Sequence, residues 1–154
     1  MAEMTPEMAQ GGGQEVVQSL TEQECWARLA TQELGRLVTH VGDVLDIFPV
    51  NYVVDDGTIV FRTAPGSKLF ELTVQDEVLF EVDDHTEADA WSVVVRGHAR
   101  ALSTSAEVAE ADLLPLTPWI PTLKYTYVRI EVTRLSGRAF QRGAEPERYG
   151  IADY

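Results

Sequence analysis

The sequence predicts a mainly β fold, a small antiparallel β-barrel with two or three peripheral helices. Three observations point there. Most of the ordered segments alternate apolar and polar residues with the period of a half-buried strand. Asp55-Asp56-Gly57 joins two such runs by a tight hairpin turn, which excludes a parallel crossover between them. Helical periodicity is confined to short stretches between the strands.

Taken in order, residues 1 to about 18 are polar and without periodicity, and they include Gly11-Gly12-Gly13. A disordered leader is expected here. No strand precedes the triple glycine and no Gly-Lys-Ser follows it, so it is linker rather than a phosphate loop. The domain is expected over residues 19–142, with a polar tail over 143–154. At Leu20-Thr21-Glu22-Gln23-Glu24, Thr21 and Glu24 have capping-box spacing and Leu20 can act as a staple. The helix should run to about Gln32, burying Cys25, Trp26, Leu29 and Ala30.

The first strand is expected over Arg36–Val41, with Leu37, Thr39 and Val41 on the face opposite Arg36, Val38 and His40. Ile47–Val54 forms the second strand and Thr58–Thr63 the third, antiparallel to it. Pro49 cannot donate to a sheet ladder and belongs at an edge or bulge. Asn51 and Tyr52 add polar groups to this apolar strand. Free backbone and an amide there suit the rim of a flat heteroaromatic ring, while a proline-edged strand with a locally satisfied Asn51 would use the same residues.

Phe61-Arg62-Thr63-Ala64-Pro65-Gly66-Ser67-Lys68-Leu69 reads as a strand end, a tight turn and a helix start capped by Ser67. Such a turn presents backbone N–H groups and the positive end of a helix dipole. Arg62, Thr63, Ser67 and Lys68 converge on it, a pattern suited to a phosphate. An ordinary solvated turn is the alternative.

A helix over about Lys68–Val74 leads to a strand over Glu77–Asp83 and an acidic loop, Asp84–Asp89. His85 in that loop lacks the spacing of a transition-metal site, so no metal is expected. Trp91–Leu102 is a long strand in which Gly97 marks a bulge or a close backbone approach. A short helix follows over Ser103–Asp112, with Ser105 as its cap. Leu113–Thr122 is a proline-punctuated loop whose Trp119 closes over a ligand or a partner subunit, or plugs a core edge. The last strand is Lys124–Leu135, after which Ser136–Phe140 turns away into the tail.

The whole chain sets further bounds. Its 154 residues suit one domain with a real core. No apolar run approaches the roughly 20 residues that cross a bilayer, no secretory pattern is visible at the N-terminus, and the single Cys25 fits a reducing compartment. A cytoplasmic protein is expected. The formal charge of −13 argues against nucleic-acid and anionic-membrane partners, which need a basic face. A small anion remains open if the few cations are focused, and one of the two lysines, Lys68, lies in the phosphate-like turn.

The turn at Phe61–Leu69, preceded by Pro49-Val50-Asn51-Tyr52 and by the opening segment Leu20–Trp26 through Gly35-Arg36-Leu37, resembles the pyridoxamine 5′-phosphate oxidase-like, flavin-binding split-barrel family, in its small actinobacterial-type members. The likeness covers about residues 20 to 140. It implies a six-stranded antiparallel split barrel and a homodimer with FMN at the subunit interface. It implies a phosphate gripped by Arg62, Thr63, Ser67 and Lys68, and a flavin ring along Pro49, Val50, Asn51 and Tyr52. Trp119 is then the candidate contributed by the partner subunit to the ring. The chain has no counterpart of the C-terminal substrate-binding segment of true pyridoxamine phosphate oxidases. Relatives with deazaflavin or haem exist, but an acidic deazaflavin tail wants cations that this chain offers sparingly, so FMN is preferred. The implied activity is that of a flavin-dependent oxidoreductase acting on a small molecule, with non-catalytic flavin storage, or a cofactor-free dimer acting through protein contacts, as other readings. No catalytic residue is assigned, because the flavin supplies the redox chemistry.

Overall fold

A computed structural model describes residues 17–120 and 125–143, without the side chains of residues 67–70. The elements are β1 (Val17–Ser19), α1 (Glu22–Leu29), β2 (Leu34–Val41), β3 (Val44–Asp55), β4 (Thr58–Thr63), α2 (Ser67–Val74), β5 (Glu77–His85), β6 (Asp89–Ala101), α3 (Ser105–Asp112) and β7 (Thr126–Gln141).

Six strands close a barrel in the order β7-β4-β3-β2-β5-β6, with β6 pairing back onto β7, and every pairing is antiparallel. This is the expected mainly β, six-stranded architecture. A seventh strand, β1, adds to β7 through Val17↔Phe140 and Ser19↔Arg138. Two expectations therefore change. Val17 and Gln18 belong to a strand rather than to the leader, whose residues 1–16 lie outside the described residues. Ser136–Phe140 does not turn away but continues β7, because its backbone is paired on one side by β6 and on the other by β1.

Alternation places the core. Leu37, Ile59, Phe61, Phe80, Val93 and Ile130 point inward and are fully buried; burying each such side chain contributes roughly 1.5–3 kcal/mol. The outer face of β4 and β7 is covered as well. There Val60 and Tyr127 pack with Leu102 and with Ala111 of α3, so both faces of that strand pair are apolar.

The local signals mostly hold. Thr21 and Glu24 form the capping box, with Glu24 N–H donating to Thr21 Oγ1 (3.1 Å) and Thr21 N–H to Glu24 Oε1 (2.8 Å). Of the expected stripe on α1, Cys25 and Leu29 are buried, Trp26 is half-buried and Ala30 is exposed at the C-cap, so the helix ends earlier than Gln32. Asp56 and Gly57 take positive φ of 48° and 73°, the backbone a two-residue hairpin needs. Two caps differ from expectation. Thr104 rather than Ser105 caps α3, its side chain accepting from Glu107 N–H. Gly66 rather than Ser67 is the N-cap of α2, and Ser67 is its first residue. The acidic Asp84–Asp89 loop is shorter than expected because β5 reaches His85; Thr86 closes the turn by accepting from Ala88 and Asp89 N–H.

Candidate functional site

The site is set by where β3 and β4 part. β3 pairs with β2 from Val44 to Asn51 and with β4 only from Tyr52 to Asp55. From Asn51 back toward Val44, its second edge has no strand partner among the described residues. β4 meanwhile runs on beside β7 to Thr63 and turns through Pro65-Gly66 into α2. The gap is a cleft of about 380 Å³ lined by Pro49, Val50 and Asn51 on one wall and Arg62, Thr63 and Gly66 on the other, with Phe48, Ala64, Pro118 and Ile120 completing it.

Backbone alternation fixes what the β3 wall offers. Tyr52 N–H donates to Glu33 O at 3.0 Å, so the nitrogens of Val50 and Phe48 face β2, and those of Pro49 and Asn51 face the open edge. Proline is tolerated at that edge for this reason. The same alternation sends the Tyr52 side chain inward. It is buried, packs edge-on against Phe80 with ring centroids 5.0 Å apart, and donates its hydroxyl to Leu29 O. Burial pushes its phenol well above the ordinary value. Tyr52 thus holds α1 to the barrel and presents no hydroxyl to the cleft.

The Asn51 side chain is committed too. Its Oδ1 accepts Trp119 N–H at 2.9 Å and its Nδ2 donates to Glu33 O at 3.1 Å. Thr117 Oγ1 adds a bond to Glu33 Oε1 at 2.9 Å. These contacts seat the proline-rich loop on β3 and bring Pro118 and Ile120 into the cleft wall. The Trp119 indole itself is 62% exposed and is not among the lining residues.

The opposite wall carries the charge. Arg62 is half-buried; its Nε is the one buried side-chain nitrogen or oxygen without a hydrogen-bond partner among the described residues. Its guanidinium lies over the Tyr125 ring, with Cζ 3.9 Å from the centroid. Thr63 is buried, and among the described residues its hydroxyl bonds to Ala64 O at 3.3 Å. The N-cap of α2 is a glycine and gives no side-chain bond to the first-turn N–H groups, which leaves them available to an anion. Ser67 and Lys68 are placed by their backbone on that first turn, and their side chains lie outside the described residues.

Of the nine residues expected at the site, Pro49, Val50, Asn51, Arg62 and Thr63 come together around the cleft. Ser67 and Lys68 share its helix end, Trp119 sits at the rim through its backbone, and Tyr52 faces the core. Sequence reasoning missed Phe48, Pro118 and Ile120, and it missed Tyr125. Tyr125 stands just before β7, and nothing in a single sequence pairs it with Arg62. Among the described residues, no group of three or more histidine, cysteine or acidic side chains is placed to hold a metal, and no helix is long and apolar enough to cross a membrane.

A protein-family model described as pyridoxamine 5′-phosphate oxidase matches residues 21–139. A Corynebacterium glutamicum structure named after pyridoxamine 5′-phosphate oxidase superposes with a TM-score of 0.82 at 49% identity, over 87% of this chain and 100% of that one. The FAD binding protein from Mycobacterium smegmatis superposes with a TM-score of 0.73 at 44% identity, over 82% of this chain and 100% of that one. An uncharacterised protein of Mycobacterium tuberculosis is 34% identical over 131 residues, 80% of this chain and 84% of its own length.

Proposed function

This chain belongs to the pyridoxamine 5′-phosphate oxidase family, matched over residues 21–139, and from that premise we propose that it is a flavin-dependent oxidoreductase of a small-molecule substrate. In this reading it works in the cytoplasm as a homodimer, with FMN held at the subunit interface. The observation that carries the reading is the buried, unpartnered Nε of Arg62 in a cleft that also receives the uncapped start of α2. An arginine whose Nε has no partner among the described residues, beside a helix N-terminus, is the chemistry that binds a phosphate monoester.

The residues present fit such a ligand. The cleft volume falls within the roughly 300–1,000 Å³ of small-molecule sites. Arg62, Thr63 and the first turn of α2 would hold the phosphate. The open β3 edge at Pro49–Asn51 would lie along the ring, with the Asn51 backbone N–H as a donor and the apolar side chains of Val50, Pro118 and Ile120 excluding water. When bound, the flavin would supply the two-electron redox chemistry. With Tyr52 facing the core and the Asn51 amide spent on the loop, no side chain of the described cleft is assigned as a general acid or base.

FAD is the second reading, favoured by the 44% identical FAD binding protein from Mycobacterium smegmatis. An absorbance spectrum of the purified protein, before and after adding FMN or FAD, followed by chromatography of the released cofactor, decides between them. A bound flavin identified as FMN supports the first reading and FAD the second. No flavin spectrum, and no change on adding either, overturns both. A bound flavin that neither NAD(P)H nor an artificial donor reduces would replace the oxidoreductase by a storage role.

A further inference from the structure

We propose that Tyr125 is a positioning residue for the cleft: it fixes the Arg62 guanidinium by its ring face while leaving the guanidinium donors free for an oxyanion. This rests on the phosphate-binding reading above and adds to it the group that makes Arg62 competent.

The contrast with other arginines of the chain carries the argument. Arg36 is paired with Glu81 and Asp83, Arg100 with Glu107, and Arg129 with Asp55, all at 2.8–3.1 Å. Arginine ion pairs among the described residues are confined to these three, and Arg28 also faces a ring, that of Trp91, at the longer distance of 5.7 Å. Among the described residues, Arg62 has no carboxylate partner, and an aromatic ring occupies that role at 3.9 Å. The difference has a chemical consequence. A carboxylate takes two N–H donors and cancels the charge. A ring face attracts the cation through its quadrupole and takes no donor. The Nε that burial leaves unpartnered is what this arrangement predicts.

Tyr125 is in turn held in place. It meets Tyr127 edge-on, with centroids 5.4 Å apart and planes at 78°. Tyr127 is buried and donates its hydroxyl to Asp112 Oδ1 at 2.7 Å, at the end of α3. Burial first, and the Asp112 bond second, push the Tyr127 phenol upward, so it remains a neutral donor. α3 thereby fixes Tyr127, Tyr127 fixes Tyr125, and Tyr125 fixes the plane of Arg62.

The test is a double-mutant cycle on FMN affinity, read by quenching of flavin fluorescence, with thermal melting to confirm that each variant folds. Tyr125→Leu should weaken FMN binding about tenfold, the scale of one partly desolvated cation–π contact. Tyr125→Phe keeps the ring face and should stay close to wild type. In the Arg62→Ala background, Tyr125→Leu should cause no further loss, because the residue acts only through Arg62. Tyr125→Leu at wild-type affinity, or the same loss with and without Arg62, overturns this proposal alone. A wild-type chain that binds neither FMN nor FAD overturns the flavin reading and this proposal with it.

Discussion

The Asn51 side chain accepts the Trp119 backbone N–H at 2.9 Å while donating to the Glu33 carbonyl at 3.1 Å. One amide therefore ties both the proline-rich loop and the α1–β2 loop to β3. Asn51→Ala should cost about 1 kcal/mol or somewhat more, since two partners lose a bond at a half-exposed site. Amide hydrogen exchange at Trp119 should accelerate, and Tm should fall by a few degrees. Exchange at Trp119 as slow as in the wild type would mean that the loop is held by its prolines rather than by Asn51.

Arg62→Ala and Lys68→Ala are each expected to weaken FMN binding, because each removes a charge-assisted phosphate contact of roughly 1.5–3 kcal/mol. Arg62 rests on its place in the cleft wall, and Lys68 on its place in the first turn of α2. The loss should shrink with added salt, only in part at Arg62, whose guanidinium is partly shielded by Tyr125. Unchanged affinity in both variants would contradict the phosphate assignment.

The fold was legible where local chemistry decides it. The Asp56-Gly57 turn, the Thr21–Glu24 box and the alternation of Thr58–Thr63 each specify their own conformation, and β4 lies where its sequence put it. The strand, turn and helix start of Phe61–Leu69 were legible for the same reason, since those residues are neighbours along the chain. The strand character of Ser136–Phe140 was not, because its Ser-Gly-Arg run is strand only through β6 and β1 on its flanks. The roles of Asn51 and Tyr52 were likewise hidden. Both were read as polar groups on one strand, yet alternation sends one to the loop and the other to the core. The Arg62–Tyr125 contact joins residues 63 positions apart in the chain and leaves no local trace.

The outer face of β2 and β5 should make stability depend on pH. Burial first, and the neighbouring Asp83 carboxylate second, push Glu81 up to about 7, against the opposing pull of Arg36. Between an ordinary glutamate's 4.5 and about 7, the folded chain holds a proton that the unfolded chain has released. Stability should therefore fall as pH rises through that window and level off above it. Glu71, raised by its bond to the Asp46 carboxyl, adds in the same direction. Glu81→Gln should flatten part of the slope, seen as a smaller change in Tm between pH 5 and 7. Identical slopes in the two proteins would remove Glu81 as the source.

Gly97 sits where β6 and β7 shift register, between Arg96 and Gly97, and its α-carbon lies close against β7. A Cβ there would stand 2.2 Å from the Glu131 carbonyl oxygen and 2.9 Å from Ile130 Cγ2. The obstacle is backbone within a strand paired on both sides by β4 and β6, so no rotamer change relieves it. Gly97→Ala must push β6 from β7 at the seam that closes the barrel, and a loss of about 1–3 kcal/mol is expected. Gly66→Ala is the control, because nothing among the described residues lies within 4 Å of a Cβ at that position. Chemical denaturation should show a lower midpoint for Gly97→Ala and a midpoint near wild type for Gly66→Ala. Equal midpoints for Gly97→Ala and wild type would mean that the seam can open without cost, against the close β6–β7 contact on which the barrel closure depends.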